Sequence, residues 1–153
     1  MSNHSRVILA IEYALEREAL IKLLTHDKDL EIIAQATSIN DIEGILNSAI
    51  SGGILILDAD MSGLDVFKIM KLLKEKSPGL KVLLLTSGYD PERIIEAIFA
   101  GCLGYINKNA SAPEFVKSVR AIARSEVWIE RKLMSKVIHR LSDFYIDTIS
   151  SFH

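Results

Sequence analysis

Apolar and polar residues alternate along this chain in blocks of two kinds. Short, nearly uninterrupted aliphatic runs occupy Val7 to Ile11, Glu31 to Ala36, Ile54 to Leu57, Lys81 to Leu85 and Leu103 to Ile106. Runs of this length without in/out alternation suit strands covered on both faces, as in a parallel sheet. Between them, apolar positions recur at helical spacing: Leu15, Ala19, Leu20, Leu23 and Leu24, then Ile42, Ile45, Leu46 and Ala49, then Val66, Ile69, Met70 and Leu73. Asn40 or Asp41, Ser62 and Ser111 are candidate N-caps, and Ser77-Pro78-Gly79 is a stop signal before the fourth strand. Pro91 and Pro113 suit first helical turns, where a missing N–H is tolerated. Strand and helix alternating five times predict a (βα)5 domain of the α/β class.

Past the fifth helix the pattern continues. Leu133, Met134, Val137, Ile138, Leu141, Phe144, Tyr145 and Ile149 form one stripe, with Arg131, Lys132, Lys136, Arg140 and Asp143 mostly off it. That spacing predicts a long amphipathic helix whose apolar face must be buried somewhere. The expected layout is an α/β unit over residues 1–127 and a helical extension or linker over 128–153.

Composition narrows the function classes. The 153 residues are 49% hydrophobic and 25% charged, enough for one globular core. A net charge of −2 gives no sign of a polyanion-binding surface over the whole chain. Seven Lys/Arg against two Glu between Lys117 and Arg140 read as a solvated helix face. The single Cys102 excludes an internal disulfide and, with no Cys/His cluster around it, a structural zinc; it is a packed small residue. His4, His26, His139 and His153 share no spacing and read as surface residues. Met1 to Arg6 is polar and the following apolar run is too short for a signal peptide or a membrane span, so a cytoplasmic location without a membrane partner is expected.

The stretch "ILILDADMSG", residues 54–63, carries four aliphatic residues into two carboxylates and a glycine. Ligands of open α/β sheets gather where strands end, near the point at which strand order reverses. Glu12, Asp58 to Asp60, Thr86-Ser87 and Lys108 each directly follow a predicted strand, which places them along one edge. A strand-end carboxylate beside a second acid and within reach of a lysine can attack a phosphoryl group. A hydroxyl would bond a phosphoryl oxygen and the ammonium would balance the added charge, with Mg2+ the usual neutralising ion. The plainer alternatives are a loop-capping acid at Asp58, a helix-dipole acid at Glu12 and edge packing at Tyr105. A small α/β enzyme or nucleotide binder is a third class. It lacks its marks, since "AIEYALER" after the first strand holds no glycine and no Ser/His/Cys nucleophile set appears.

On "RVILAIEYALEREAL", "ILILDADMSGLD", "KVLLLTSG", "GCLGYINKN" and "SEVWI", in order and correctly separated from Arg6 to about Trp128, the chain resembles a known family. It is similar to the receiver domains of bacterial two-component response regulators, most closely those of LuxR/NarL type. The resemblance implies a flavodoxin-like sheet of order 2-1-3-4-5. It also implies a phosphoryl group accepted on Asp58 from a histidine kinase, a reporting hydroxyl at Thr86 and a pairing lysine at Lys108. Tyr105 matches an aromatic switch and Ser87 the small residue beside the phosphoryl group. Mg2+ would be held by Glu12, Asp58 and the backbone carbonyl of Asp60. Beyond self-phosphorylation and dephosphorylation, no enzyme is implied.

Departures from the family are specific. The usual acidic pair reads Ile11-Glu12, so one of three clustered charges is missing and Mg2+ affinity is expected to fall; the Asp60 side chain is a candidate replacement. Ser62 stands where the family generally has proline, and Asn109 follows Lys108. Homodimerisation and a role in controlling transcription are implied. The 25 residues after Trp128 leave room for one helix, so DNA binding would need a helix-turn-helix domain absent from this chain. The rival expectation, motivated by Ile11, is a degenerate receiver that serves as a phosphorylation-independent dimerisation scaffold.

Overall fold

A computed structural model describes residues 4–48, 50–88 and 90–150; Met1, Ala49 and His153, all invoked above, lie outside them. Five strands alternate with helices: β1 (Ser5–Ala10), α1 (Ala14–Thr25), β2 (Leu30–Ala36), α2 (Ile39–Asn47), β3 (Ile54–Asp58), α3 (Val66–Lys76), β4 (Lys81–Thr86), α4 (Pro91–Phe99), β5 (Gly104–Asn107) and α5 (Ala112–Ala123), followed by α6 (Arg131–Ser150). The strands are parallel and lie in the order β2-β1-β3-β4-β5. The (βα)5 expectation is borne out, strand ends differing by a residue or two.

The period-2 geometry of strands explains how continuous aliphatic runs fill two cores. Ile8, Leu55, Leu57 and Leu84 face one side of the sheet, against Ile42 and Leu46 of α2, Ile69 and Leu73 of α3 and Ala97 of α4. Val7, Leu9, Ile54, Ile56 and Leu83 face the other, against Leu24 of α1 and Phe115, Val119 and Ile122 of α5. Every residue of β3 is buried, including its terminal Asp58. Each fully buried Leu or Ile stabilises the fold by roughly 1.5–3 kcal/mol, so β3 has little freedom and its last carboxylate is held on a rigid support.

Several local expectations need correction. Ser38, not Asn40 or Asp41, caps α2: its hydroxyl accepts from the Asp41 N–H, while the Asp41 carboxylate reaches back to the Thr37 N–H and hydroxyl at 2.9 and 3.0 Å. An acid three residues past a Ser cap satisfies the preceding chain reciprocally. Asp65, not Ser62, caps α3. Gly63, at φ +73°, makes the turn between them, and the Ser62 hydroxyl is engaged elsewhere. Ser111 caps α5, and Pro91 and Pro113 lie in first turns, as expected. On α1 the expected stripe is buried only toward its end: Leu15 is 84% exposed and Ala19 is exposed, whereas Leu24 is fully covered.

The apolar face of α6 is likewise divided. Leu133 and Val137 pack on Ile94 and Ile95 of α4, and Arg140 pairs with Glu92. Beyond them Leu141, Phe144, Tyr145 and Ile149 are exposed. The segment before α6 adds a bridge to the sheet: Trp128 pairs with Gly104, accepting from the Tyr105 N–H and donating to the Leu103 carbonyl. A Cβ on Gly104 would lie 2.7 Å from the Trp128 carbonyl oxygen, so only glycine allows this approach. Cys102 is buried, and desolvation pushes its thiol up to about 11. Among the described residues no helix is long and apolar enough to cross a membrane.

Candidate functional site

Parallel strands aim their C-terminal ends at one edge, and the neighbours of β3 in the sheet decide what meets Asp58. β4 ends on Thr86 with Ser87 next, and the chain after β5 brings Lys108, whose N–H bonds the Thr86 carbonyl at 2.8 Å. The Asp58 carboxylate is fixed on both oxygens. Oδ1 accepts from the Asp60 N–H at 2.9 Å and lies 3.0 Å from Lys108 Nζ. Oδ2 faces the Glu12 N–H at 3.5 Å.

Lys108 has three N–H donors and three carboxylates around them. Besides Asp58, Glu16 Oε2 lies at 3.2 Å and Asp60 Oδ2 at 3.4 Å. Partial burial works against the ammonium, but its bonds to Asp58 and Glu16 outweigh this and raise its pKa. Asp60 also accepts from the Ser87 N–H at 2.8 Å. Burial works against its charge too, yet the bonds from Ser87 and the nearby Lys108 hold its carboxyl below the ordinary value.

Glu12 is directed differently. Its two oxygens take the Ser62 hydroxyl at 2.7 Å and the Ser62 N–H at 3.0 Å, and these bonds lower its pKa. Proline at this position could supply neither donor, so the Ser62 departure and the orientation of Glu12 are one feature. The Ile11 side chain is wholly buried in the core on the α1/α5 side. Arg17 donates to the carbonyls of Ile11 and Glu12 at 3.1 and 3.4 Å, fixing the loop after β1.

The ligand set that the resemblance implies for Mg2+, the Glu12 and Asp58 carboxylates with the backbone carbonyl of Asp60, is two acidic side chains and one carbonyl, all hard oxygen donors of the type this ion takes. Among the described residues no three carboxylate, imidazole or thiolate groups gather so as to hold a metal ion. Ser62 bonds the Glu12 carboxylate, while Ser87 and Lys108 hold that of Asp60.

Thr86 and Tyr105 complete the edge. The Thr86 hydroxyl exchanges bonds with the N–H and carbonyl of Gly88 at 3.3 and 3.2 Å and is turned from Asp58. Half-buried Tyr105 packs between the α3/α4 core and the α4/α6 cluster. A cavity of about 410 Å3 opens beside both, lined by Asp60, Leu64, Thr86, Ser87, Ile94 and Tyr105 among others. Glu16, an acid in the first turn of α1, escaped the sequence reading, since an acid there also reads as ordinary helix-dipole chemistry.

Comparison with known proteins bears on this geometry. The response regulator receiver domain family matches residues 7–120. The transcriptional regulatory protein LiaR of Bacillus subtilis is 30% identical over 137 residues, 89% of this chain and 64% of its own. The DNA-binding transcriptional activator DevR/DosR of Mycobacterium tuberculosis is 23% identical, over 89% of this chain and 62% of its own. The chain thus spans somewhat less than two thirds of the length of these relatives. Among solved structures, the isolated receiver domain of RcsB from Salmonella enterica serovar Typhimurium superposes with a TM-score of 0.75 at 17% identity, covering 88% of this chain and 99% of that one. The signal receiver domain of NarL from Mycobacterium tuberculosis gives 0.70 at 22% identity, covering 80% and 98%.

Proposed function

Because the chain belongs to the response regulator receiver domain family, we propose that it accepts a phosphoryl group on Asp58 from a histidine kinase and converts that charge into a changed protein interface. Asp58 Oδ would form the bond to phosphorus as the donor's P–N or P–O bond breaks, in line with the attack. The observation that carries this reading is the contact of Lys108 Nζ with Asp58 Oδ1 at 3.0 Å in an otherwise buried setting. The ammonium is already where new negative charge would develop, so little reorganisation is required during transfer. Phosphorylation adds up to about two negative charges. Rotation of the Thr86 hydroxyl away from Gly88 toward that group would vacate space beside Tyr105, into which the ring could turn from the adjoining cavity. Such a movement shifts the surface of α4, β5 and α6 between two packings.

Receiver domains generally bind Mg2+ at the acidic phosphorylation site. Here Glu12, Asp58 and the backbone carbonyl of Asp60 would hold it, and it would neutralise phosphoryl oxygens; the steps above use only Asp58, Lys108, Thr86 and Tyr105. Response regulators work with histidine kinases and dimerise; for this chain we propose both partners, with residues 1–127 as the receiver unit and 128–153 as the connecting helix. A transcriptional output is extended to it from its relatives' names, a transcriptional regulatory protein and a transcriptional activator, and a cytoplasmic location is proposed with it. The degenerate-scaffold alternative is not supported, since Asp58, Lys108 and Ser87 converge in one depression. Incubation with acetyl phosphate followed by intact-mass measurement tests the proposal. One phosphoryl adduct on the wild type and none on Asp58→Asn is expected; no adduct on the wild type overturns it.

A further inference from the structure

A phosphoryl group on Asp58 needs hydrogen-bond donors for its oxygens, and the donors beside Asp58 already have an occupant. The Ser87 N–H points at Asp60 Oδ2 at 2.8 Å, and the same oxygen lies 3.4 Å from Lys108 Nζ. Lys108 in turn touches Asp58 Oδ1 at 3.0 Å, so the two aspartates share one cation. An anionic oxygen bonded at once by a backbone N–H and an ammonium is the environment that a phosphoryl oxygen would seek. The ammonium also hydrogen-bonds Glu16 at 3.2 Å, so three acids already surround the cation that an incoming group would need. Thr86 is turned to Gly88, as it would be with no phosphoryl group to draw it in.

Resting on the reading of Asp58 as phosphoacceptor, we propose that the Asp60 carboxylate is a built-in occupant of the phosphoryl subsite, and that phosphorylation must displace it. Asp60 sets a threshold: the donors are arranged in advance, but an internal anion holds them until a phosphorylated donor competes successfully. Its side chain is 35% exposed, on the loop after β3, so it has an outward path and its replacement leaves the core untouched. Two aspartates within two residues thus take opposite parts, one as acceptor and one as competitor.

The two possible roles of Asp60 predict opposite signs. If it competes, Asp60→Ala accelerates acetyl phosphate labelling of Asp58 roughly tenfold, the scale of one charge-assisted contact, with Asp60→Asn between. If it assists by supplying charge for Mg2+, Asp60→Ala slows labelling and raises the Mg2+ concentration required. Rates are measured by intact mass over a Mg2+ series, with Asp58→Asn as the blank. The Ser87 amide is followed by 15N–1H NMR: its resonance should shift strongly in Asp60→Ala, marking the lost acceptor. Faster labelling with a shifted Ser87 resonance supports the inference. Unchanged or slower labelling of Asp60→Ala overturns it while leaving Asp58 as acceptor. Absence of any adduct on the wild type and both variants overturns the phosphoacceptor reading, and this inference with it.

Discussion

Removing the Lys108 ammonium is the most direct perturbation of the pocket. Three carboxylates lie within 3.0–3.4 Å of it, and at an effective dielectric near 20 each contact is worth about 5 kcal/mol of gross attraction. Mutual repulsion of the acids and their desolvation offset most of that sum. The residue-specific remainder follows exposure: the Asp58 side chain is 1% exposed, against 38% for Glu16 and 35% for Asp60. Solvent screens the latter two, so coupling of Lys108 to Asp58 should be about 2–3 kcal/mol and to Glu16 under about 1 kcal/mol. Urea unfolding of Lys108→Ala, Asp58→Asn, Glu16→Gln and the two double variants gives both coupling energies as double-mutant cycles. Singles that add to within about 0.5 kcal/mol for Lys108 and Asp58, or a larger coupling to Glu16, would refute an ammonium anchored chiefly by the buried acid.

Other outcomes follow from the same geometry. Ser62→Pro removes both donors that hold Glu12, and titration calorimetry should show Mg2+ binding strengthened several-fold, with Ser62→Ala in between; unchanged binding would sink the link between Ser62 and Glu12. Asp27 is buried; desolvation works against its charge, but bonds from the Asp29 N–H and Arg120 hold its carboxyl below the ordinary value. A depressed folded-state pKa stabilises above the ordinary carboxylate range and ceases to as pH falls through that depressed value. Asp27→Asn should therefore lose roughly 1–2 kcal/mol in denaturant unfolding at pH 7, and the gap should narrow below about pH 4. Leu133→Ala, at a fully covered position against α4, should destabilise by about 2–4 kcal/mol, whereas Phe144→Ala, 70% exposed, should stay within about 0.5 kcal/mol; comparable losses would show the end of α6 to be packed.

How much of this was legible in the sequence depended on the range of the interaction. Strand positions were visible because burial on both faces demands uninterrupted aliphatics, as in Ile54 to Leu57, and that requirement is local. The convergence of Asp58, Ser87 and Lys108 was accessible too, since parallel topology carries all strand ends to one edge. What lay hidden were choices among partners of similar chemistry. Ser62 could have capped α3 or bonded Glu12, and only the turn at Gly63 decides between them. Glu16 and Asp60 carry no mark distinguishing a lysine partner from a solvated acid. The α1 stripe was overread because periodicity reports an amphipathic face, not whether the fold supplies a surface for all of it; the α6 stripe is a helix as read, covered only at Leu133 and Val137.

The bridge between Trp128 and Gly104 has a practical consequence. Trp128 is the only indole in the chain, half-buried and attached by its backbone to the strand that carries Tyr105. Its emission is therefore a native optical gauge of the β5 edge, readable by stopped-flow fluorescence without dye or tag, in which strand rearrangement appears as a spectral change and a rigid edge as silence.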